Sequence, residues 1–213
     1  MEPRRISVRG FAEVGSAKPN RKQAILKRYK FPDSEESVGR SNYYVKALGI
    51  IRRHHKGDSA VVRARLQDLL AQASVEKNPR QKAKLLNNHQ AAVDYLRVFG
   101  NRPLTIRPGK YLYYIYKNLI VGAHPDLVAD ENGALVLIKL HLGKDALGGG
   151  VCALLLHMMY EAALASGVQI RSTSVECIQS STGSRIVGPK SGFPAKSVLN
   201  QTCQEVLSIW PAA

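Results

Sequence analysis

The chain has 213 residues, enough for one full core with a small helical appendage and too few for two large domains. Its 45% hydrophobic and 22% charged content is ordinary for a globular protein, so the unusual quantity is a net charge of +15 at pH 7. The excess is amino-terminal: residues 1–100 carry 21 Lys and Arg against 9 Asp and Glu, whereas residues 101–213 carry 10 against 7. A polyanion such as DNA or RNA is the partner this charge favours, and scattered solvated charge is the plainer alternative.

From Asn20 to Gly100 the apolar residues recur mostly at three and four spacing, which predicts helices in "RKQAILKRYK", "YYVKALGIIRRHH", "AVVRARLQDLLAQASV" and "PRQKAKLLNNHQAAVDYLRVFG". Phe31-Pro32-Asp33 ends the first, Lys56-Gly57-Asp58 separates the second from the third, Asn78-Pro79 opens the fourth, and Gly100 closes it. After Arg102-Pro103 the texture changes to antiparallel strands rich in Tyr, Ile, Val and Leu. Turn signals stand at Pro108-Gly109, Lys117-Asn118 and Asn132-Gly133. "GGGVCALLLHMMYEAALASG" reads as a buried helix ending at Gly167, "VQIRSTSVECIQ" as a strand, "SSTGSRIVG" as a turn and short strand, and "AKSVLNQTCQEVLSIW" as a terminal helix. The expected architecture is α/β or α+β: a mixed central sheet of about five strands flanked by helices. A basic helical region (1–100) is expected to precede the core (101–213).

Cys152, Cys177 and Cys203 are odd in number and far apart, with no CxxC pairing, and read as buried small residues in a reducing compartment. The start "MEPRRISVRGF" lacks a signal-peptide core and no apolar run reaches membrane-spanning length, so the expected location is the cytoplasm, with no membrane partner.

The order of elements and the stretch "NLIVGAHPDLVADENGALVLIKLHLGK" (118–144) resemble the PD-(D/E)xK nuclease superfamily, especially its RecB-type branch, which includes CRISPR-associated exonucleases. Gly122 to Asp126 supply the G-x-x-D half of the motif, Leu135 to Lys144 its hydrophobic strand and Gly-Lys end, and Leu156 to Tyr160 the downstream helix; only Asp126, Gly143, Lys144 and Tyr160 fit the pattern in type. The resemblance spans roughly residues 100–180 and implies a restriction-endonuclease-like core. It also implies hydrolysis with a magnesium or manganese ion held by two carboxylates, beside a lysine that orients or activates water. Here Asp126 is the first carboxylate, Lys139 stands where the second belongs, and His141 stands where the lysine belongs. An ammonium in place of a carboxylate changes the local charge by about two units and repels a divalent cation. In the alternative register Lys139 is the motif lysine and Leu137 fills the acid position, which removes a ligand as well. Leu156 replaces the glutamine that should accompany Tyr160.

The motif positions Asp126, Lys139, His141 and Tyr160 therefore read as vestigial, with no metal ligand set and no cofactor. The chain reads as a pseudonuclease that keeps a nucleic-acid surface and works in a larger assembly. Arg21, Lys22, Lys27, Arg28, Arg52, Arg53, Arg63, Arg65 and Lys144 are the expected phosphate contacts. Two rivals stay open: an active nuclease whose missing carboxylate comes from Asp130, Glu131, Asp145 or Glu161, and a protein-interaction subunit that uses the fold as a scaffold. His124, Asp126 and His141 as a soft metal site, stacking of unpaired bases on Tyr111, Tyr113, Tyr114 and Tyr116, and amide contacts from Gly148-Gly149-Gly150 are weaker alternatives to turn, core and linker roles. "IIRRHHKG", with His54 and His55, serves equally as a helix end suited to cations or as a phosphate contact.

Overall fold

The computed structural model describes residues 3–30 and 43–210, so the expected helix stop at Phe31-Pro32-Asp33 lies outside the described residues. In chain order the elements are β1 (Arg4–Ser7), α1 (Val8–Gly15), α2 (Pro19–Lys30), α3 (Val45–His54), α4 (Ser59–Val75), α5 (Pro79–Phe99), β2 (Leu104–Ile106), β3 (Tyr113–Tyr116), β4 (Leu119–Gly122), β5 (Leu127–Glu131), β6 (Ala134–His141), α6 (Gly149–Ala165), β7 (Val175–Gln179), β8 (Ser184–Val187) and α7 (Lys196–Ile209). The fold is mixed α/β. A five-stranded sheet runs β2-β5-β6-β7-β8, parallel only between β6 and β7, and a three-stranded sheet runs β1-β4-β3 with β1 parallel to β4.

Three elements were not anticipated: β1, α1 and a 3-10 turn before β7. β1 pairs Arg4 with Leu119 and Ser7 with Gly122. The Ser7 hydroxyl then accepts from the Gly10 amide at 3.1 Å and caps α1. Residues 4–30 thus pack across the change of texture at residue 100, since α1 lies on α6 and α2 lies on α1. "VQIRSTS" is not strand up to Val175: Ser172–Ser174 form a 3-10 turn, in which the Ser172 hydroxyl donates to the Pro189 carbonyl at 2.7 Å.

The helical stretch behaves as its caps dictate. Asn78 accepts from the Arg80 and Gln81 amides ahead of Pro79, and α5 runs 21 residues to Phe99. Asn88, buried on α5, takes the Ala47 amide at 2.9 Å and gives its own amide protons to the Tyr43 and Lys84 carbonyls, which sets α3 against α5. The β5–β6 turn uses Asn132 and Gly133, both with positive φ (51° and 80°), as a two-residue hairpin requires.

Alternation along the strands gives the five-stranded sheet two apolar faces. Val128, Leu137, Val175 and Cys177 join a core with α1, α6 and α7, while Leu127, Ala129, Val136, Ile138 and Ile178 join a second core under α3, α4 and α5. α6 is apolar nearly all round because it touches both sheets, through β3 on one side and β7 on the other. Among the described residues no helix is long and apolar enough to cross a membrane.

Candidate functional site

Asp126 precedes β5 and by alternation lies on the same face of the sheet as Val128, the face that α1, α6 and α7 cover. Lys139 lies between Ile138 and Leu140 on β6 and so points to that same face, one strand over. The Lys139 ammonium donates to Asp126 Oδ1 at 3.1 Å and to the His124 carbonyl at 3.0 Å. The second carboxylate oxygen, Oδ2, accepts from the Leu140 amide at 2.8 Å. Both oxygens are thus occupied, and both side chains are 22% exposed. Arg52, at the end of α3, donates through Nε and Nη2 to the Asp126 carbonyl at 3.2 and 2.8 Å. The carboxylate therefore faces one cation, Lys139, and a second, Arg52, holds the backbone of the same turn, where the resemblance calls for two carboxylates and one lysine.

That donor set does not fit a divalent cation, because an ammonium fills the place of the second ligand. The expected alternative carboxylates lie elsewhere. Asp130 pairs with Arg107, and four residues further along the strand it stands roughly 13 Å from Asp126. Glu131 pairs with Arg102 at 2.7 Å, Glu161 stands 4.0 Å from His157 on α6, and Asp145 is exposed in the loop after β6. Among the described residues no group of three or more His, Cys, Asp and Glu is arranged to hold a metal.

His141 does not take the lysine's part. It is 5% exposed, and its Nε2 bonds the Asp145 carbonyl at 2.5 Å, so Nε2 carries the proton; Nδ1 meets no partner. Burial lowers its pKa, against the pull of the Asp145 carbonyl, and keeps the ring neutral. A Cβ on Gly143 would meet this ring at 2.9 Å, which accounts for glycine there. Gln179, opposite His141 on β7, accepts from the Leu147 amide at 2.6 Å, and together they fasten the loop that leads to α6. His124 is also engaged: Nδ1 accepts from the Leu112 amide at 3.1 Å, and burial, then the nearby Lys139, lowers its pKa. The soft site of His124, Asp126 and His141 is not assembled. Tyr160 leans on Phe193, 5.2 Å between ring centroids, and takes no part in the Asp126 bonds.

The expected phosphate contacts divide. Arg21, Lys27, Arg28, Arg63, Arg65 and Lys144 are exposed, and Arg52 and Arg53 are exposed while also bonded to the Asp126 carbonyl and to Asp58. Lys22 is a correction: it is 8% exposed and bound to Glu205 at 2.5 Å, because its position on α2 faces α7 rather than solvent. His54 and His55 close α3 inward, on the Gly100 carbonyl (2.9 Å) and the Tyr95 hydroxyl (3.0 Å), which favours helix termination over phosphate contact. The tyrosines split by face: Tyr114 and Tyr116 turn to Asn200 and Gln204 of α7, while Tyr111 and Tyr113 face out against His124.

Sequence reading missed Glu13. On α1 it binds Arg9 at 2.8 Å and the Tyr29 hydroxyl at 2.7 Å, within electrostatic reach of His141. Its only local signal was the i,i+4 spacing to Arg9. Cys177, beside Lys139 on β7, is pushed up to about 12 by burial and by Cys152, so both thiols are inert packing at neutral pH. No known family model, curated protein or solved structure matches this chain.

Proposed function

We propose that the chain is a non-catalytic nucleic-acid-binding protein on a PD-(D/E)xK-nuclease-like scaffold, acting in a cytoplasmic DNA- or RNA-processing or defence assembly. The observation that carries the reading is the Lys139–Asp126 pair at 3.1 Å, which puts an ammonium where catalysis needs a second carboxylate. The net charge of +15 and the exposed arginines of α2, α3 and α4 support affinity for phosphates. Binding rests on the backbone and carries no base-specific code.

The test is fluorescence anisotropy with labelled DNA and RNA from about 50 to 200 mM salt, alongside incubation with magnesium or manganese. The expected result is affinity that falls steeply with salt, by about 0.9 in log K per log salt for each phosphate neutralised on a duplex, without cleavage. Salt-insensitive binding, or metal-dependent cleavage abolished by Asp126→Ala, would overturn it.

A further inference from the structure

The outer face of the three-stranded sheet is uncovered among the described residues. Tyr111 is 80% exposed, Tyr113 46% and Ile115 67%, whereas Tyr114 between them is 2% exposed and packs inward. Solvent-facing aromatics of this size on one strand need a reason, since water gains nothing from them.

Geometry makes the patch a shelf. The ring of His124, held by the Leu112 amide, stands near-perpendicular to both tyrosines, at 5.2 Å and 80° to Tyr111 and 4.8 Å and 87° to Tyr113. Across the sheet, Tyr113 is opposite Gly122, and Gly122 is opposite Ser7; the small Gly122 leaves room for the His124 ring, whose Nε2 lies 3.4 Å from where a Cβ would stand. The next row is Ile115, Ile120 and Arg5. Charge agrees with an anionic occupant: residues 3–12 and 101–125, which supply all three strands and their loops, contain no Asp or Glu. Arg5 and Lys110 are exposed there.

We propose that this face binds a single-stranded nucleic acid, with bases stacked on Tyr111 and Tyr113, and His124 as the positioning residue that holds the rings upright. This deepens the nucleic-acid reading and rests on it. A duplex hides its base faces, so outward rings favour unpaired bases; each base stacked on an aromatic ring contributes roughly 1–3 kcal/mol, with little sequence preference.

The experiment compares a labelled oligonucleotide of about 16 nucleotides, single-stranded and as a duplex, by anisotropy at one salt concentration. Wild type is expected to prefer the single strand. Tyr111→Ala with Tyr113→Ala should weaken single-strand binding on the order of 10- to 100-fold and leave duplex binding unchanged. Tyr113→Phe should retain affinity and Tyr113→Leu lose it, which separates stacking from mere apolar bulk. Both tyrosines are exposed, so an unchanged melting curve is expected and checks folding. Binding to both oligonucleotides with no effect of the tyrosines, or equal loss on both, overturns the platform alone. Binding to neither overturns the proposed function as well. A tyrosine variant that alters only self-association in sedimentation assigns the face to protein contact and also overturns the platform.

Discussion

On the α3–α5 face of the five-stranded sheet, Glu176 is fully buried and shared by Arg102 at 2.9 Å and Arg185 at 2.5 Å, while Arg102 also forks onto Glu131. On the opposite face, one strand over, Asp126 and Lys139 are each 22% exposed, with Arg52 reaching the same turn. The first group balances two arginines against two carboxylates and is closed at its centre, where Arg102 and Glu176 are buried, while Arg185 reaches it from the surface. Burial works against the charge on Arg102, yet its hydrogen bonds to Glu131 and Glu176 prevail and raise its pKa, and Arg102 in turn lowers that of Glu131. The second group has one carboxylate for two cations and stays open. A closed, balanced cluster fixes the positions of strands, whereas an open, unbalanced one leaves positive potential for an anion from outside.

The largest expected effect tests the closed side. Arg102→Ala leaves the fully buried Glu176 with Arg185 alone and Glu131 with only a 3.7 Å contact to Arg185, and should lower stability in urea unfolding by about 3 kcal/mol, whereas Lys139→Ala should cost no more than about 1 kcal/mol. Equal losses would erase the contrast. On the open side, Lys139→Glu with His141→Lys supplies the second carboxylate and the lysine that the resemblance calls for beside Asp126. Its melting temperature should drop in chelator and recover with magnesium, with a binding heat by calorimetry that wild type lacks. A wild-type protein that already takes up magnesium through Asp126 would sink the account.

pH sharpens the comparison next. His55 is buried against Tyr95, and desolvation, then His54 and Arg102, lowers its pKa from 6.5 to about 4. The folded state resists the proton that the unfolded chain accepts, so this contribution is complete above about pH 6.5 and is lost as pH falls toward 4. After discounting for solvent screening it is worth on the order of 1–2 kcal/mol. His55→Gln should flatten the stability curve in that window. The smallest effect separates neighbours on α2. Arg21→Ala should leave stability within about 0.5 kcal/mol and reduce the salt slope of nucleic-acid binding, while Lys22→Ala, which frees Glu205, should cost about 1 kcal/mol with no change in slope.

That last pair also marks how far the sequence could be read. Arg21 and Lys22 are alike in type and adjacent, and only the packing of α2 on α7 decides which one meets solvent. Asn78-Pro79, Gly100 and Asn132-Gly133 were legible because caps and two-residue turns are local chemistry. Asp126 and Lys139 met as expected because strand pleat and hairpin register are periodic. β1 was not legible: "RRIS" is short, has no clear alternation, and finds its partner 115 positions away. The turn of His141 toward Asp145 depends on the path of a glycine-rich loop, which no periodicity encodes.

The pairing of Arg4 with Leu119 has a consequence for the order of events at the ribosome. Residues 45–99 pack on one another as α3, α4 and α5, and at roughly 5–20 residues per second they are synthesised about 1–5 s before β4 leaves the exit tunnel. Until then β1 has no strand to join, and the apolar side of α1 must wait longer still for α6. Residues 4–30 are made well before the strand and helix that receive them, so a holdase acting on this chain during synthesis would find its binding site there.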